Sequence, residues 1–191
     1  NAGLAALVGP TWTDPENIAD ARLVLAWGID LVSTSVHTWD LVQRARRQGA
    51  RLVVIDPYRS RTAERADVHL AIHPGTDGAL ALGMLHVIFR ERLEDRDYIT
   101  RFTSGVEALE REVATWTPEA TAQVTGLDAD AVVSLAREYA TTRPAVIRHG
   151  VGMQRAAGAG MALRGLHCLA VATGQWRYAA GRHTTEADPP G

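Results

Sequence analysis

The chain has 191 residues, of which 46% are hydrophobic and 22% charged, a composition typical of a globular protein with one sizeable core. The 20 basic and 22 acidic side chains give a formal net charge of −2, so we expect no nucleic-acid partner. No apolar run reaches the roughly 18 residues of a transmembrane helix, and the single cysteine, Cys168, excludes an internal disulfide and an all-cysteine metal or iron–sulfur site.

The two ends of the sequence suggest its domain organisation. It opens at Asn1 in an apolar run that is typical of the end of a helix, and it closes in a polar, proline-rich stretch. We therefore expect a single domain over residues 1–181, a disordered tail over residues 182–191, and a chain cut from a longer protein. Processing of a complete small protein is the alternative.

The first third of the chain predicts a strand–helix–strand unit. Residues 13–16 (TDPE) have the capping residue, proline and acid of a helix start, and the helix must be short because residues 22–26 (RLVLA) have the continuous apolar pattern of a buried parallel strand. Residues 27–30 form the loop at the end of that strand. A helix over residues 37–48 follows, and Gly49 ends it.

The central stretch predicts two further strands and a strong helix. Residues 52–55 are a buried strand, and the crossover from the preceding strand makes the pair parallel. Residues 68–72 are predicted as the third strand. A Gly-Thr-Asp turn at residues 75–77 then leads into an amphipathic helix over residues 79–92.

The remaining sequence predicts a helical insertion and a return to the sheet. Residues 94–143 have the caps and spacing of several short helices, and residues 145–148 (AVIR) are the fourth strand. A glycine-rich loop over residues 149–160 precedes a last helix over residues 161–172. The predicted fold is therefore α/β: a three-layer α/β/α sandwich with a mainly parallel sheet, Rossmann-like and similar to dinucleotide-binding domains, with a helical insertion.

Two carboxylates, Asp56 and Asp77, follow the second and third predicted strands. Open α/β sheets bind ligands in the crevice outside the carboxyl ends of their strands, so both are candidate nucleotide ligands. A carboxylate can accept from ribose hydroxyls, and its two oxygens can accept from N1–H and N2–H of guanine. The alternatives are structural: Asp56 opens an Asp-Pro turn, and Asp77 caps the following helix.

Basic and glycine residues near the predicted strand ends suit a phosphate. Arg59 and Arg61 follow Asp56 and could bind a diphosphate, or they could be solvated surface residues. Gly28 at the end of the first strand, and Gly150-Val151-Gly152 after the fourth, could bring backbone N–H groups close to a phosphate. The third glycine of G-x-G-x-x-G is missing, which argues against a nicotinamide site. Walker, nucleophile-elbow and zinc motifs are also missing, so the histidines and tryptophans are interpreted as core, interface or surface residues.

Six short stretches, taken in order, resemble the molybdopterin oxidoreductases of the dimethyl sulfoxide reductase and formate dehydrogenase superfamily. The resemblance extends from about residue 1 to residue 181. The stretches are Trp27-Gly28 with Thr34 and His37; Ile55-Asp56-Pro57-Tyr58-Arg59-Ser60-Arg61-Thr62-Ala63; Ala66-Asp67 with Pro74-Gly75-Thr76-Asp77-Gly78-Ala79-Leu80; Thr141-Thr142-Arg143-Pro144; Gly150-Val151-Gly152-Met153-Gln154-Arg155; and Thr173-Gly174-Gln175-Trp176-Arg177.

The resemblance implies that this chain is a fragment of a molybdenum enzyme and a central domain that holds a molybdopterin guanine dinucleotide. The parent enzyme would carry molybdenum between two such pterins and an iron–sulfur cluster in its N-terminal part. The isolated chain would have no turnover and would bind the cofactor weakly or not at all. Residues that the resemblance assigns to the cofactor are Asp56 for the nucleotide end, Asp77 for guanine, with Gly75 in its turn, Gly28, Asp30 and Thr34 along the diphosphate, Arg59 beside it, and Gly152 and Gln154 in a loop facing the interior.

The sequence also departs from the family pattern. Asp30-Leu31 stands where the family usually has Asn-Pro, so we expect the Asp30 side chain to turn away from a diphosphate or to lean on an arginine. The family's glycine run is reduced to Ala179-Ala180-Gly181. The protein ligand to molybdenum would lie before Asn1.

Partners and compartment follow from the same resemblance. The expected partners are the other domains of the parent chain and an electron-transfer subunit, and surface left uncovered would favour self-association. The cytoplasm is favoured, with the periplasm as the alternative for the parent enzyme. Two other functions stay open: a non-catalytic structural relative in an electron-transfer complex, and a stand-alone nucleotide-binding module.

Overall fold

The computed structural model of the protein describes residues 15–155 and 158–178, with the side chains of residues 154 and 155 left out. Its sheet has four parallel strands in the order β3-β2-β1-β4. The strands are β1 (Leu23–Trp27), β2 (Arg51–Ile55), β3 (Val68–Leu70) and β4 (Ala145–His149).

Strand β1 lies at the centre of the sheet because its five residues are apolar and can be covered on both faces. All five are buried, as the continuous apolar pattern predicts. Its last residue, Trp27, is in register with Ile55 of β2 on one side and with His149 of β4 on the other. The carboxyl ends of these three strands therefore meet at one edge of the sheet.

Eight α-helices are found in the described residues. They are α1 (Leu31–Thr34), α2 (Val36–Arg47), α3 (Asp77–Arg90), α4 (Arg96–Phe102), α5 (Val106–Val113), α6 (Pro118–Thr125), α7 (Ala129–Thr141) and α8 (Ala159–Ala172). Short 3-10 helices span Pro15–Asp20, Ala63–Arg65, Val151–Arg155 and Gln175–Arg177.

The two faces of the sheet are covered by different helices, which confirms the three-layer α/β/α prediction. On one face Val24 and Ala26 pack with Val42 of α2 and with the 3-10 helix Pro15–Asp20. On the other face Leu25 and Trp27 pack with α3, α7 and α8 in the larger cluster. Alternate residues of β1 thus enter opposite cores, as the two-residue period of a strand requires.

The predicted helical insertion is present as α4 to α7; of its two predicted caps, the Thr117 side chain caps α6, whereas Asp128 takes the cap position of α7 without a side-chain hydrogen bond. The Asp95 carboxylate accepts from the Tyr98 amide at 2.9 Å (Oδ1 to N), and the Thr117 hydroxyl accepts from the Ala120 amide at 3.2 Å. Buried residues of α5 and α7 belong to the same apolar cluster as β1. The insertion therefore extends the main core.

Most element boundaries shift by one or two residues from their predicted positions. The shift that matters is that of α3, which begins at Asp77 and not at residue 79, so Asp77 is the first helical residue and Thr76 takes the cap position. The predictions for residues 13, 14 and 182–191, and the departure at residues 179–181, lie outside the described residues. None of the described helices is long and apolar enough to cross a bilayer.

Helix α3 is held against α6 by a close contact at Gly83. A Cβ at this position would lie 2.7 Å from Cγ2 and 2.9 Å from Cβ of Thr121, which is completely buried. Alanine is the better helix former by about 1 kcal/mol, but overpacking costs about 1–3 kcal/mol. We therefore expect Gly83→Ala to lower the free energy of unfolding, measured by urea denaturation, by about 1–2 kcal/mol.

The matched control is Gly160→Ala in α8, where an added Cβ meets nothing within 4 Å. That variant should be as stable as the wild type or more stable by up to about 1 kcal/mol. If Gly83→Ala is equally well tolerated, α3 is not fixed against α6 in the way the contact indicates.

Candidate functional site

Three carboxylates gather at the carboxyl edge of the sheet. Asp30 follows β1, Asp56 follows β2, and Asp77 opens the helix that comes after β3. Because the strands are parallel, the segments that leave them lie side by side. The structure thus brings together three residues that are far apart in the sequence.

Asp77 is bound to the end of the central strand. Its Oδ1 accepts a hydrogen bond of 2.8 Å from the indole N–H of Trp27. Only 8% of Asp77 is exposed, and Trp27 is completely buried. No described residue donates to Oδ2 of Asp77, and its carboxylate makes no capping bond to the amides of α3. The alternative of simple helix capping is therefore wrong, and both oxygens can accept further hydrogen bonds.

Asp56 is half-buried and forms its own turn. Its Oδ1 accepts from the Tyr58 amide at 2.9 Å, and the His69 ring lies 2.9 Å from its carbonyl oxygen (Nε2 to O). Burial is the main cause that raises the pKa of Asp56 above 3.8. The negative charges of Asp30 and Asp77 raise this pKa further, so the three carboxylates share one electrostatic environment.

Asp30 binds a threonine and not an arginine. Its Oδ1 accepts from the Thr62 hydroxyl at 2.7 Å and from the Thr62 amide at 3.3 Å. The same hydroxyl accepts from the Val32 amide at 3.1 Å, so the loops after β1 and β2 are tied together. Burial acts to raise the pKa of Asp30, but hydrogen bonds from Ser33 and Thr62 outweigh it and the pKa is lowered.

The glycines at this edge permit contact between two loops. A Cβ at Gly152 would lie 3.0 Å from the carbonyl oxygen of Gly28, and a Cβ at Gly150 would overlap the same oxygen. Gly28 has a φ of +60°, and a Cβ there would lie 2.9 Å from Cγ of Met153. The loops after β1 and β4 therefore pack directly against each other through backbone that carries no side chains.

Two of the amides that the sequence assigns to a phosphate are used by the sheet. Gly28 donates to the Ile55 carbonyl at 2.8 Å, and Gly150 donates to the Trp27 carbonyl at 3.0 Å. These N–H groups continue the ladders of β1 and do not face a phosphate. Proximity of Gly28 and Gly152 to a cofactor stays a prediction.

The other predicted site residues lie around the same edge. Thr34 is exposed and donates its hydroxyl to the Asp30 carbonyl at 2.7 Å. Arg59 is exposed, and its guanidinium makes no hydrogen bond or ion pair with the described residues. Gly75 has a φ of +81° in the turn before α3. Gln154 lies in the 3-10 helix Val151–Arg155, and its side chain is outside the described atoms.

Two of the stretches that carry the resemblance serve the fold. The Asp67 carboxylate accepts from the Leu52 amide at 2.7 Å and from Arg46 at 3.0 Å, which fixes the start of β2 beside β3. Gln175 is buried next to the start of β4. Its Oε1 accepts from the Ala145 backbone amide at 2.9 Å, and its Nε2 donates to the Thr142 carbonyl oxygen at 3.0 Å. Neither residue points to a ligand.

Sequence reasoning did not assign a role at this edge to Trp27, Thr62 or His149. Trp27 and Thr62 stand in the stretches that carry the resemblance, but their partners Asp77 and Asp30 are 50 and 32 residues away, so no local pattern identifies the pairs. His149 ends β4, and burial is the main cause that lowers its pKa to about 4. Its Nδ1 has no hydrogen-bond partner in the described part of the chain. The imidazole is therefore neutral near pH 7.

Comparison with known proteins decides the family. Residues 6–183 match the family described as "Molybdopterin oxidoreductase". The chain belongs to the molybdopterin oxidoreductase family. It is 40% identical over 168 residues to "Probable oxidoreductase YoaE" of Bacillus subtilis (strain 168), a match covering 88% of this chain and 25% of that protein.

Further relatives agree with this family and with the fold. The chain is 32% identical over 190 residues to "Dimethyl sulfoxide reductase DmsA" of Escherichia coli (strain K12), covering 85% of this chain and 23% of that protein. The solved structure of "Acetylene Hydratase from Pelobacter acetylenicus" matches with a TM-score of 0.85 at 29% identity, over 94% of this chain and 25% of that chain. The chain thus spans about a quarter of the length of the relatives it matches.

The charge of Asp30 can be removed without removing its hydrogen bonds, because an asparagine Oδ1 can accept the same bonds from Thr62. We expect Asp30→Asn to lower the pKa of Asp56, since the Asp30 charge is one of the causes that raise it. The measurement is an NMR titration of the Asp56 carboxyl carbon. Asp40→Asn, at an exposed helical position, is the control and should leave this pKa unchanged.

The same change has a defined effect on stability against pH. The folded pKa of Asp56 lies above 3.8, so its contribution to stability is fully present below pH 3.8 and is lost as the pH rises through the folded value. Because Asp30→Asn should lower the folded pKa of Asp56, the contribution of Asp56 to the free energy of unfolding should be lost at a lower pH than in the wild type. An unchanged Asp56 titration would show that the two carboxylates do not interact across the edge.

Proposed function

We propose that this chain is part of a molybdenum-dependent oxidoreductase and holds the guanine end of a molybdopterin guanine dinucleotide. The observation that carries the proposal is Asp77, a carboxylate at the carboxyl edge of a parallel sheet with one oxygen unused by any described residue. Membership of the family supports a molybdopterin cofactor. The Asp77 carboxylate supports the guanine dinucleotide form of that cofactor.

The hydrogen-bonding chemistry of Asp77 matches guanine and not adenine. Guanine presents two parallel donors, N1–H and N2–H, and an ionised carboxylate has two acceptor oxygens. Hydrogen bonds to charged groups contribute about 1.5–3 kcal/mol each, enough to select one base over another. Adenine has no matching pair of donors. Asp56 has its Oδ2 free of any described partner and is placed to accept from a ribose hydroxyl.

The diphosphate requires different residues, because three carboxylates at one edge oppose an anion. Arg59 is the exposed cation nearest in sequence to this edge and, with the Thr34 hydroxyl, is our assignment for the diphosphate. Gly75 shapes the turn that presents Asp77, and Gly152 and Gln154 would face the interior of the complete enzyme. The Asp30 charge is directed to Thr62, which limits its conflict with the diphosphate.

The metal chemistry belongs to the parent enzyme and not to these residues. The bound cofactor, in its bis form with molybdenum, would supply electron and oxo transfer, and an iron–sulfur cluster would lie in the preceding part of the parent chain. Among the described residues no group of three or more His, Cys, Asp or Glu side chains could hold a metal ion. This chain's role is to bind and orient the nucleotide end.

The relatives differ in the substrates that their names give, so the substrate of the parent enzyme is left open. They include a dimethyl sulfoxide reductase, a formate dehydrogenase and an acetylene hydratase. We assign the parent enzyme to the oxidoreductases and name no substrate.

Uncovered apolar side chains support the proposed partners. Tyr58, Val151 and Met161 are 73%, 59% and 67% exposed, and each follows or lies close in sequence to a segment at the carboxyl edge. The other domains of the parent chain would cover them, with an electron-transfer subunit as a further partner, and the isolated chain would self-associate. We keep the cytoplasm as the proposed compartment and the periplasm as its alternative.

The experiment uses the full-length enzyme that contains this chain. The wild-type protein should contain molybdenum and release GMP on acid hydrolysis. In the cofactor-free enzyme, Asp77→Asn should weaken GDP binding by at least about tenfold and leave ADP binding unchanged, because an asparagine amide faces the guanine donors with a donor of its own. Asp40→Asn is the control with an exposed carboxylate, and its GDP affinity should equal that of the wild type.

Three other results would contradict the proposal, each in a different way. A full-length protein with neither molybdenum nor GMP is a non-catalytic structural relative. Tight GDP binding by the 191-residue chain alone identifies a stand-alone nucleotide-binding module. Unchanged GDP binding in Asp77→Asn would place the guanine site elsewhere.

A further inference from the structure

Trp27 lies at the centre of the carboxyl edge, between the ends of β2 and β4. It ends the central strand, is in register with Ile55 and His149 on its two sides, and is completely buried. Its backbone carbonyl accepts from Gly150 at 3.0 Å, and the next residue, Gly28, donates to Ile55 at 2.8 Å. The backbone of Trp27 is thus held between β2 and β4, and the buried indole ring is enclosed by the core.

The indole N–H is paired with a carboxylate from another layer of the fold. A buried indole N–H needs one acceptor, and Trp27 finds it in Oδ1 of Asp77, 50 residues away. A carboxylate in the first turn of a helix would otherwise bind that helix's own amides. The Asp77 carboxylate makes no hydrogen bond to a described amide of α3, so the hydrogen bond from Trp27 decides which way the carboxylate faces.

This orientation matters for recognition of a base. Guanine requires both carboxylate oxygens in one plane with its N1–H and N2–H donors, and a freely rotating side chain would lose rotational entropy on binding. One lone pair of Oδ1 is held by Trp27, while the other lone pair and Oδ2 can accept from the base. The carboxylate is thus oriented before the nucleotide arrives.

We propose that Trp27 is a positioning residue for base selection, which fixes the Asp77 carboxylate through its indole N–H and thereby sets the preference for guanine. The inference rests on the proposed function of Asp77 and adds the residue that makes Asp77 selective. Trp27 itself touches no nucleotide in this account.

The test measures base preference and not affinity alone. GDP and IDP differ only in the 2-amino group of the base, so the ratio of their dissociation constants reports the hydrogen bond from N2–H. In the cofactor-free full-length enzyme the wild type should prefer GDP by about tenfold, the equivalent of about 1.4 kcal/mol. Trp27→Phe keeps the aromatic ring and removes the donor, and it should reduce this preference to about twofold or less.

A matched control separates positioning from packing. Trp39→Phe removes an indole N–H that makes no hydrogen bond to any described residue and belongs to the core on the other face of the sheet. It should leave the GDP to IDP ratio at the wild-type value. A purely structural role for Trp27 would weaken GDP and IDP binding equally and leave their ratio unchanged, and that result would overturn the inference.

The two hypotheses fail in distinguishable ways. If Asp77→Asn abolishes the preference and Trp27→Phe retains it, guanine recognition stands and the positioning role is wrong. If the wild type shows no preference, or Asp77→Asn retains it, both are wrong, because the guanine site is not at Asp77.

A second measurement covers the case in which Trp27→Phe does not fold. Fluorine NMR of the 5-fluorotryptophan-labelled wild type gives a resonance for Trp27, identified as the one that Asp77→Asn shifts because of their 2.8 Å contact. Addition of GDP should shift this resonance, and addition of IDP should shift it less. A Trp27 resonance that does not respond to GDP would overturn the inference.

Discussion

A carboxylate can be withdrawn from water only when another group stabilises its charge. Asp77 is withdrawn almost completely, and the indole N–H of Trp27 and the positive end of α3 are the groups that stabilise it. This single hydrogen bond joins the central strand to the first turn of the helix layer. The position of the carboxylate therefore depends on the whole packing of the sheet, since Trp27 is fixed by β2 and β4 and α3 is fixed by α6 and α8.

At the edge around this bond, the backbone amides of two glycines pair within the sheet, and side chains supply the groups available to a ligand. Glycines at the ends of β1 and β4 let two loops touch, and the amides of Gly28 and Gly150 complete the sheet. Backbone N–H groups of these two residues are thus not offered to an anion. Three of the polar side chains gathered there are carboxylates, which suit the hydrogen-bond donors of a base and a sugar better than they suit phosphate oxygens. In our proposal the diphosphate is therefore bound by side chains such as Arg59.

The sequence was sufficient for the layers and for the strands. Continuous apolar runs marked β1 and β2, and the capping residue Thr117 marked a helix that the structure confirms. The strand ends singled out Asp56 and Asp77, and the family resemblance gave each its expected role. What the sequence could not show was the partner of each carboxylate. Trp27 lies 50 residues from Asp77 and Thr62 lies 32 residues from Asp30, so only the folded chain brings them together, and helix capping remained an equally good interpretation until the conformation of Thr76 was seen.

The central claim is that the Trp27–Asp77 pair presents a fixed carboxylate to the guanine of the cofactor. The most direct measurement is a crystal structure of the cofactor-loaded, full-length enzyme. We predict that N1 and N2 of one guanine lie within roughly 2.7–3.2 Å of the two Asp77 oxygens while Trp27 keeps its bond to Oδ1. A guanine bound to other residues, with Asp77 still covered by protein, would contradict this account.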